Sequence, residues 1–266
     1  MKLDLLQKVR TDNPMILNIA NSVTQSDVAN GISAIGASPL MTNYDAELKT
    51  LAQMASGVCI NIGTLDERQN ELSKDLLKLA LDFNKPVVLD PVGIGAVPER
   101  LAFVEDLFKV AKPTIIRGNA GEIASLVGVS WSAKGIDSID EGQTKSVDEI
   151  AKACSKKFDC VTVVTGVTDT IATRDLISHT FNGNKIFTTR VGTGDMLSSI
   201  IAVFAAVSDG NYFEGAKMAC LIFGLAGELV MTETPNIGPA AFSTRLLDQL
   251  YTINTEDIKR WGKYDE

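Results

Sequence analysis

A chain of 266 residues, of which 45% are apolar and 22% charged, contains enough hydrophobic side chains for a folded core, which excludes an intrinsically disordered protein. The net charge of −8 comes from 33 acidic and 25 basic residues, and the basic residues form no cluster that could follow a nucleic-acid backbone or an anionic membrane. Nucleic acids and membranes are therefore not expected as partners.

The sequence also predicts a cytoplasmic protein. Residues 1–10 alternate charged residues with leucine at helical spacing and contain no apolar run of the kind found in signal peptides. Residues 218–231 are the most apolar run, but they include Glu228 and fall short of the roughly 18 uninterrupted apolar residues of a membrane span, which predicts a buried helix. The scattered cysteines and the single His179 do not match a Cys/His zinc site, so we expect reduced thiols in the core.

Short apolar runs alternate with amphipathic segments from the N-terminus to residue 165. The predicted strands are residues 15–19, 57–63, 86–90, 114–117 and 160–165. The predicted helices are residues 3–12, a segment ending near Gly36, and residues 45–54, 66–83, 99–110, 120–126 and 147–158. Strands that alternate with helices form parallel sheets, so we predict a single α/β domain over residues 1–266, with a central, mostly parallel sheet and helices on both faces.

Three regions depart from this alternation. Residues 21–31 form an unusually polar turn that leads into a helix, and residues 37–41 follow that helix as a loop; ordinary capping and turn chemistry explains these polar side chains as well as a binding role does. Residues 128–147 are polar and contain glycines, which predicts a surface loop and a candidate lid. The segments predicted after residue 165 are a hairpin of residues 170–173 and 176–180 and helices at about 196–207, 211–232 and 239–256.

Polar residues or glycines lie at or just after the ends of three of the predicted strands. They are Gly63, Asp90, Arg117 and Asn119. Because ligands of parallel α/β sheets bind outside the carboxyl ends of the strands, these residues are expected to lie on the same side of the sheet.

A turn of small residues, Gly192-Thr193-Gly194-Asp195, runs directly into an apolar helix. Glycines allow the backbone to turn tightly and to bring its N–H groups close to a ligand, and the helix adds its free amides and its positive dipole end. This arrangement favours a phosphate. Asp195 has two interpretations: a helix N-cap worth about 1 kcal/mol, or a carboxylate that takes part in chemistry.

The remaining parts of a phosphoryl-transfer site are also present. Transfer needs charge stabilisation, a metal that neutralises the phosphates, and an acceptor for the proton of the attacking group. Asp90 and Glu122 supply oxygen ligands suited to Mg²⁺ and its waters, and Arg117 is suited to a phosphate. Each has a structural alternative, because Asp90 could cap the following loop and Glu122 could form an ordinary ion pair with Arg117.

Taken in order, the motifs are similar to those of a known family. They are Asn21-Ser22-Val23-Thr24, Ser38-Pro39-Leu40-Met41, Asn61-Ile62-Gly63-Thr64-Leu65, Asp90-Pro91-Val92-Gly93, Arg117-Gly118-Asn119-Ala120-Gly121-Glu122, Val164-Thr165-Gly166 and Gly192-Thr193-Gly194-Asp195. Over nearly the whole chain this series resembles the hydroxyethylthiazole kinases of the ribokinase-like superfamily. The glycine turn is shared across the superfamily, whereas the Pro-Leu-Met and Asp-Pro-Val-Gly segments point to the thiazole kinases.

The resemblance implies an ATP- and Mg²⁺-dependent kinase that phosphorylates 4-methyl-5-(2-hydroxyethyl)thiazole in thiamine biosynthesis or salvage. The residues implied are Met41, Asn21, Val23 and Gly192 for the thiazole alcohol, Arg117, Thr165 and Asn119 for ATP, and Asp90 and Glu122 for the metal. Gly192 to Gly194 would form the anion hole, and Asp195 would accept the proton of the hydroxyethyl group. The resemblance also implies a homotrimer with active sites between subunits, which would place the substrate loop of one chain beside the Gly192 turn of the next.

One residue departs from the family pattern, since many members carry Cys where this chain has Asp195. An ordinary carboxylate is ionised at neutral pH, whereas an ordinary thiol has a pKa of about 8.5, so the change favours a competent kinase. It leaves open a preference for another small heteroaromatic alcohol.

Two other functions remain as alternatives. One is an ATP- or ADP-dependent NAD(P)H-hydrate dehydratase of the same superfamily, which the segment from Ser38 to Met41 disfavours. The other is a non-catalytic sensor of nucleotide or thiazole, which has no need for Asp90, Glu122 and Asp195 together. Met41 has an alternative of its own, because a methionine after an apolar residue is most often part of a core.

Overall fold

The computed structural model describes residues 2–129, 131 and 146–265. One eight-stranded sheet lies at the centre of the fold. Its strands are β1 (Met15–Ile19), β2 (Ser38–Met41), β3 (Gly57–Asn61), β4 (Val87–Asp90), β5 (Ile115–Asn119), β6 (Val161–Thr165), β7 (Asp169–Ala172) and β8 (Ile177–Thr180). They lie in the order β2-β1-β3-β4-β5-β6-β7-β8; the first six are parallel, and β7 and β8 form the predicted antiparallel hairpin at one edge. The candidate lid at residues 128–147 lies mostly outside the described residues.

Helices connect the strands and cover both faces of the sheet. They are α1 (Leu5–Asp12), α2 (Gln25–Ile35), α3 (Asp45–Met54), α4 (Glu67–Asp82), α5 (Pro98–Val110), α6 (Ala120–Leu126), α7 (Val147–Phe158), α8 (Thr193–Ala206), α9 (Tyr212–Glu233), α10 (Pro239–Thr252) and α11 (Thr255–Trp261). A short 3₁₀ helix, Lys185–Thr189, lies between β8 and α8. The predicted fold class, a mostly parallel sheet with helices on both faces, is confirmed.

Two apolar cores, one on each face of the sheet, hold these layers together. Successive strand residues point to opposite faces, so Ile16 of β1 packs into the first core and Leu17 into the second. The first core is completed by α1, α2 and α8 to α11, and the second by α3 to α7. Helix α9 is long and apolar enough to cross a membrane, but 78% of its apolar window is buried within the fold, as the sequence predicted.

The prediction of a loop at residues 37–41 is wrong, because Ser38–Met41 form strand β2. This strand pairs in parallel with β1, with Met15 opposite Ser38 and Asn18 opposite Met41. Pro39 weakens the strand pattern in the sequence, yet proline is tolerated at a sheet edge, where its missing N–H group removes no hydrogen bond. The edge position of β2 therefore explains both the proline and the missed strand.

The single helix predicted at 239–256 is also wrong, because the structure has α10 and α11 there. The side chain of Asn254 accepts hydrogen bonds from the backbone N–H groups of Glu256 and Asp257. Asparagine is among the preferred N-cap residues, so a new helix begins after Asn254 and α10 does not continue through it.

Candidate active site

Polar side chains meet near the carboxyl ends of the central strands. From β1, β3, β4, β5 and β6 they are Asn18, Asn61, Asp90, Arg117 and Thr165. The first turns of α8 lie over this edge and add two hydroxyl groups: Ser198 donates to Asp90 Oδ2 (2.7 Å) and Ser199 to Asn18 Oδ1 (2.9 Å). The expected convergence of Asp90 and Arg117 is confirmed, and hydrogen-bonded polar side chains lie beneath the glycine turn.

The glycine turn has the geometry of an anion site. Gly192 has a left-handed backbone conformation (φ 92°), and a Cβ at this position would lie 2.7 Å from Thr24 Cγ2, so glycine is required. Helix α8 begins at Thr193, earlier than predicted, and the backbone N–H groups of residues 193–195 have no acceptor among the described residues. Free amides at the start of a 14-residue helix favour a bound anion.

Asp195 is the third residue of α8, so its interpretation as the N-cap is wrong. Gly192 holds the N-cap position, and no side chain caps this helix. The half-buried carboxylate of Asp195 instead accepts a hydrogen bond from the Thr24 hydroxyl at Oδ2 (2.6 Å). Within the described ranges Oδ1 accepts none, so one carboxylate oxygen is available to a ligand beside the free amides.

Arg117 places a positive charge under the glycine turn. Its side chain is 13% exposed; Nη1 donates to Asp90 Oδ2 (3.3 Å) and Nη2 to Thr165 Oγ1 (2.7 Å). A Cβ on Gly194 would lie 2.7 Å from Arg117 Nη1, so this glycine makes room for the guanidinium. The anion site therefore combines backbone amides with an oriented arginine, a combination suited to a phosphate.

Asp90 is a buried carboxylate with one oxygen left over. Its Oδ2 accepts from Asn61, Arg117 and Ser198, so the alternative role as a loop cap is wrong. Burial raises the pKa of Asp90 to about 6, although Arg117 and the Ser198 hydroxyl group lower it. Oδ1 is buried and has no hydrogen-bond partner among the described residues. A buried polar atom without a partner is a candidate contact for a ligand or its waters.

Glu122 forms a capping box with Asn119 at the start of α6. Asn119 Oδ1 accepts from the Glu122 N–H (3.0 Å), and Glu122 Oε2 accepts from the Asn119 N–H (2.8 Å). Glu122 Oε1 accepts from the Gly93 N–H (2.8 Å). The alternative of an ion pair between Glu122 and Arg117 is wrong, because Arg117 pairs with Asp90.

These contacts define what kind of metal site the residues can form. Among the described residues, no three His, Cys, Asp or Glu side chains cluster as an all-protein cage would require. Asp90 Oδ1 is without a partner, and each oxygen of Glu122 keeps a lone pair after accepting one N–H group. Two carboxylates of this kind fit Mg²⁺, which keeps several waters and binds largely through substrate phosphates.

The polar segment from Asn21 to Thr24 packs against the glycine turn within the same chain. Asn21 Oδ1 accepts from the Val23 N–H (3.0 Å), and a Cβ on Gly63 would lie 2.4 Å from Asn21 Nδ2. Val23 is 72% exposed and precedes the buried Thr24, which contacts Asp195. The segment therefore reaches the glycine turn of its own chain.

Met41 lies at the rim of this arrangement. It is the last residue of β2, opposite Asn18 of β1, and it is half-buried and packs partly against the first core. The Ser199 hydroxyl lies 2.9 Å from Asn18 Oδ1 and 3.2 Å from the carbonyl oxygen of Asp195. Met41 therefore lies at the end of β2 beside Asn18, with one part in the core and one part accessible.

Several residues that support the site have no role predicted from the sequence. Asn18 and Asn61 could have been identified, because each is an amide in an otherwise apolar predicted strand. Asp169 accepts a hydrogen bond from the Gly166 N–H (3.1 Å); its enclosure raises its pKa to about 6, while Gly166 and Arg117 lower it. No pattern indicates Asp169, because its proximity to Arg117 depends on the turn between β6 and β7.

The chain is similar to one known protein family over most of its length. A sequence profile of the Hydroxyethylthiazole kinase family matches residues 6–256. The hydroxyethylthiazole kinases of Lactiplantibacillus plantarum and Levilactobacillus brevis are 44% and 43% identical over 265 residues, covering 100% of this chain and of each relative. The structure of a hydroxyethylthiazole kinase protein from Pyrococcus horikoshii superposes with a TM-score of 0.89 at 30% identity, over 99% of this chain and 97% of that one. The range matched by the profile contains every residue of the site described above.

Proposed function

The chain belongs to the hydroxyethylthiazole kinase family, and from this membership we propose how residues 1–266, as a single ribokinase-like domain, perform the reaction. The enzyme transfers the γ-phosphoryl group of ATP to the hydroxyl group of 4-methyl-5-(2-hydroxyethyl)thiazole, in thiamine biosynthesis or salvage. The observation that carries the mechanism is the available Oδ1 of Asp195, which lies beside the free amides of residues 193–195 and above Arg117.

In the proposed mechanism Asp195 is the general base. Oδ1 accepts the proton of the substrate hydroxyl group, the hydroxyl oxygen bonds to the γ-phosphorus, the bond from that phosphorus to its bridging oxygen breaks, and ADP leaves. The amides of residues 193–195 and the Arg117 guanidinium stabilise the charge on the transferred group. Gly192 and Gly194 are required because side chains there would collide with Thr24 and Arg117.

The nucleotide side of the site is proposed to consist of Arg117, Thr165 and Asn119. Thr165 accepts from Arg117 Nη2 and so fixes the plane of the guanidinium, while Asn119 is exposed at the start of α6. Glu122 and Asp90 would hold Mg²⁺ through its waters, and the metal bound there would neutralise the phosphate charge of ATP.

Glu122→Gln is expected to raise severalfold the Mg²⁺ concentration needed for half-maximal activity. Glutamine keeps one oxygen for the capping box with Asn119, so the start of α6 is preserved while the charge that attracts the metal is removed. Its NH₂ group then faces the Gly93 N–H, so a modest fall in Tm is expected as well. A Mg²⁺ titration at saturating ATP measures the effect. Glu149→Gln is the matched control, because Glu149 holds the same position in the capping box of α7. Identical Mg²⁺ curves for Glu122→Gln and Glu149→Gln would remove Glu122 from the surroundings of the metal.

The thiazole alcohol is proposed to bind between the two polar segments. Asn21 and Val23 line one side, Gly192 presents its backbone on another, and Met41 contacts the ring. A thioether is polarisable and adapts to the face of a sulfur heterocycle. The half-buried position of Met41 at the end of β2 supports this role, because part of its side chain is left for a ligand.

Met41→Ala is expected to raise KM for the thiazole alcohol severalfold, with ATP kinetics little changed. Because Met41 is only half-buried, its loss should destabilise the fold by less than the roughly 2–5 kcal/mol of a fully buried methionine. Steady-state kinetics in both substrates and a thermal melt measure these effects. Met218→Ala is the contrasting control, because Met218 is fully buried in α9 and should lower Tm without changing KM. If Met41→Ala behaves like Met218→Ala, Met41 belongs to the core and not to the pocket.

We also propose a cytoplasmic homotrimer with active sites between subunits. Apolar side chains beside the site support it, because Val23 is 72% exposed and Val191 68%, and their chain neighbours Thr24 and Gly192 are in contact. Exposed apolar groups that lie close together are typical of subunit contacts. A neighbouring subunit that covered Val23 and Val191 would close the thiazole pocket against water. The mass of the protein in solution, measured by light scattering, tests this assembly.

A coupled ADP-release assay tests the proposed activity and its alternatives. The thiazole alcohol should give the highest kcat/KM, above pyrimidine and pyridine alcohols of similar size. A dehydratase would consume nucleotide when hydrated NADH is supplied and would release no ADP when the thiazole alcohol is supplied. A sensor would bind the thiazole and ATP without turnover. Either of those two results would overturn the proposal.

A further inference from the structure

Thr24 occupies an N-cap position but does not cap its helix. N-cap threonines normally accept a hydrogen bond from a backbone N–H group in the first turn, and Thr24 is the N-cap residue of α2. Its side chain makes no such bond. The residue is 2% exposed, and its hydroxyl oxygen lies 2.6 Å from Asp195 Oδ2. The stabilisation that a cap would give α2 is absent, and the hydroxyl group faces the carboxylate.

The donor in this pair is the Thr24 hydroxyl group. Its single proton has two acceptors within reach, Asp195 Oδ2 at 2.6 Å and the carbonyl oxygen of Asn21 at 3.4 Å. The carboxylate is nearer, and a charged acceptor forms the stronger hydrogen bond. The proton therefore lies between Thr24 and Asp195.

Three other contacts hold Thr24 in place against the start of α8. Arg190 forms an ion pair with Asp27 in the first turn of α2. Thr24 Cγ2 lies against Gly192, and further along α2 Gly31 packs so closely on Met196 that a Cβ would come within 2.5 Å of its side chain. Because the helices are fixed at several points, the direction of the hydroxyl group does not depend on a mobile loop.

From this geometry we infer that Thr24 is a positioning residue that orients the Asp195 carboxylate, an inference that rests on the proposed role of Asp195 as general base. A carboxylate that rotates about its Cβ–Cγ bond presents its two oxygens at random. A donor fixed to Oδ2 holds the group in one orientation, with Oδ1 directed to the substrate. A thiol has a single reacting atom and needs no such partner, so the hydroxyl group is matched to an aspartate at this position.

The test compares Thr24→Val with Thr24→Ser in the full-length protein, with 4-methyl-5-(2-hydroxyethyl)thiazole and Mg-ATP as substrates. Valine has the shape of threonine and keeps the methyl group on Gly192 but lacks the hydroxyl group; serine keeps the hydroxyl group but lacks that methyl group. For Thr24→Val we expect kcat to fall about 10- to 100-fold, as for a lost hydrogen bond to a charged group, with both KM values little changed. Thr24→Ser should recover most of kcat.

Two further variants assign the effect to Asp195. Thr252→Val is the matched control, because its hydroxyl group donates to the backbone carbonyl of Asp248 at the end of α10, which contacts Arg10 ahead of the start of β1, and its kcat should equal that of the parent. The double variant of Thr24→Val with Asp195→Asn should be no slower than Asp195→Asn alone, because residues that act through one group are not additive.

The outcomes separate this inference from the proposed function. If Asp195→Asn is inactive but Thr24→Val turns over like the parent, the positioning role is overturned and the proposed function stands. If Thr24→Ser loses as much kcat as Thr24→Val, packing on Gly192 and not the hydroxyl group is responsible, which also overturns the inference. If Asp195→Asn turns over like the parent, Asp195 is not the general base, and the inference about Thr24 is overturned with it.

Discussion

Asp195→Asn is expected to lower kcat by about 10² to 10⁴, the usual contribution of a general base, while nucleotide affinity stays close to that of the parent. The amide cannot take up a proton at neutral pH, but its oxygen can still accept the hydrogen bond from Thr24, and the free amides of residues 193–195 are unchanged. Steady-state kinetics and calorimetric titration with a non-hydrolysable ATP analogue measure the two properties separately.

The matched variant for this prediction is Asp195→Cys. A thiol must ionise before it can accept a proton, so the activity of Asp195→Cys should rise with pH toward the ordinary thiol pKa of about 8.5, whereas Asp195→Asn should stay inactive at every pH. If Asp195→Asn keeps the turnover of the parent, Asp195 is not the base. If both variants lose nucleotide binding, the carboxylate has a structural role in the anion site instead.

Arg117→Ala is expected to weaken ATP binding and to destabilise the fold. The guanidinium lies against Gly194 and is the partner of the buried Asp90, so its removal takes a positive charge from the phosphate site and leaves a buried carboxylate unpaired. Breaking one side of a buried ion pair costs roughly 3–5 kcal/mol. For a chain of this size that corresponds to a fall in Tm on the order of 10 °C. A thermal melt and the KM for ATP measure both effects.

The loss of stability in Arg117→Ala should grow as the pH rises. Burial raises the pKa of Asp90 to about 6, above the ordinary 3.8, and Arg117 opposes that increase. A carboxyl group whose pKa is higher in the folded state than in the unfolded state stabilises the fold below its unfolded pKa, and this contribution is lost as the pH rises through its folded pKa. Without Arg117 the pKa of Asp90 rises further, so the deficit in Tm relative to the parent should be larger at pH 8 than at pH 5.

A double variant distinguishes the two roles of Arg117. When Asp90→Asn is added to Arg117→Ala, the unpaired charge of Asp90 is removed, and part of the Tm should return while ATP binding stays weak. Recovery of both properties would mean that Arg117 affects ATP only by holding the fold together. A normal KM for ATP in Arg117→Ala alone would exclude it from the nucleotide site.

Periodicity and strand order predicted most of the fold and the location of the site. The apolar runs that became β1, β3, β4, β5 and β6 are buried on both faces, and such strands are visible as continuous apolar segments. Because parallel strands bring their carboxyl ends to one edge, the sequence alone predicted that Asp90 and Arg117 lie close together. Strand β2 was missed because a four-residue edge strand with a proline has almost no periodic signal.

The roles of single side chains were harder to predict from the sequence, because they depend on contacts between distant segments. Asp195 could be an N-cap or a base until the structure showed that α8 begins at Thr193. Thr24 and Asp195 are 171 residues apart, and no local pattern relates them. Glu122 was correctly located at the start of α6, but its use of both oxygens for backbone N–H groups depends on the loop at Gly93.

The way the two cores divide the chain sets an order of events during synthesis. The helices of the second core are complete once residue 158 has left the ribosome, whereas the first core needs α8 to α11, which end at residue 261. Until then Ile16, Cys59 and Val88 belong to a sheet face that lacks most of its cover, the kind of nascent surface that aggregates or recruits chaperones. After α1 and α2, the helix that carries Asp195 is the next element to cover this face, so a chain that stops short of it lacks both the base and a large part of the hydrophobic interior.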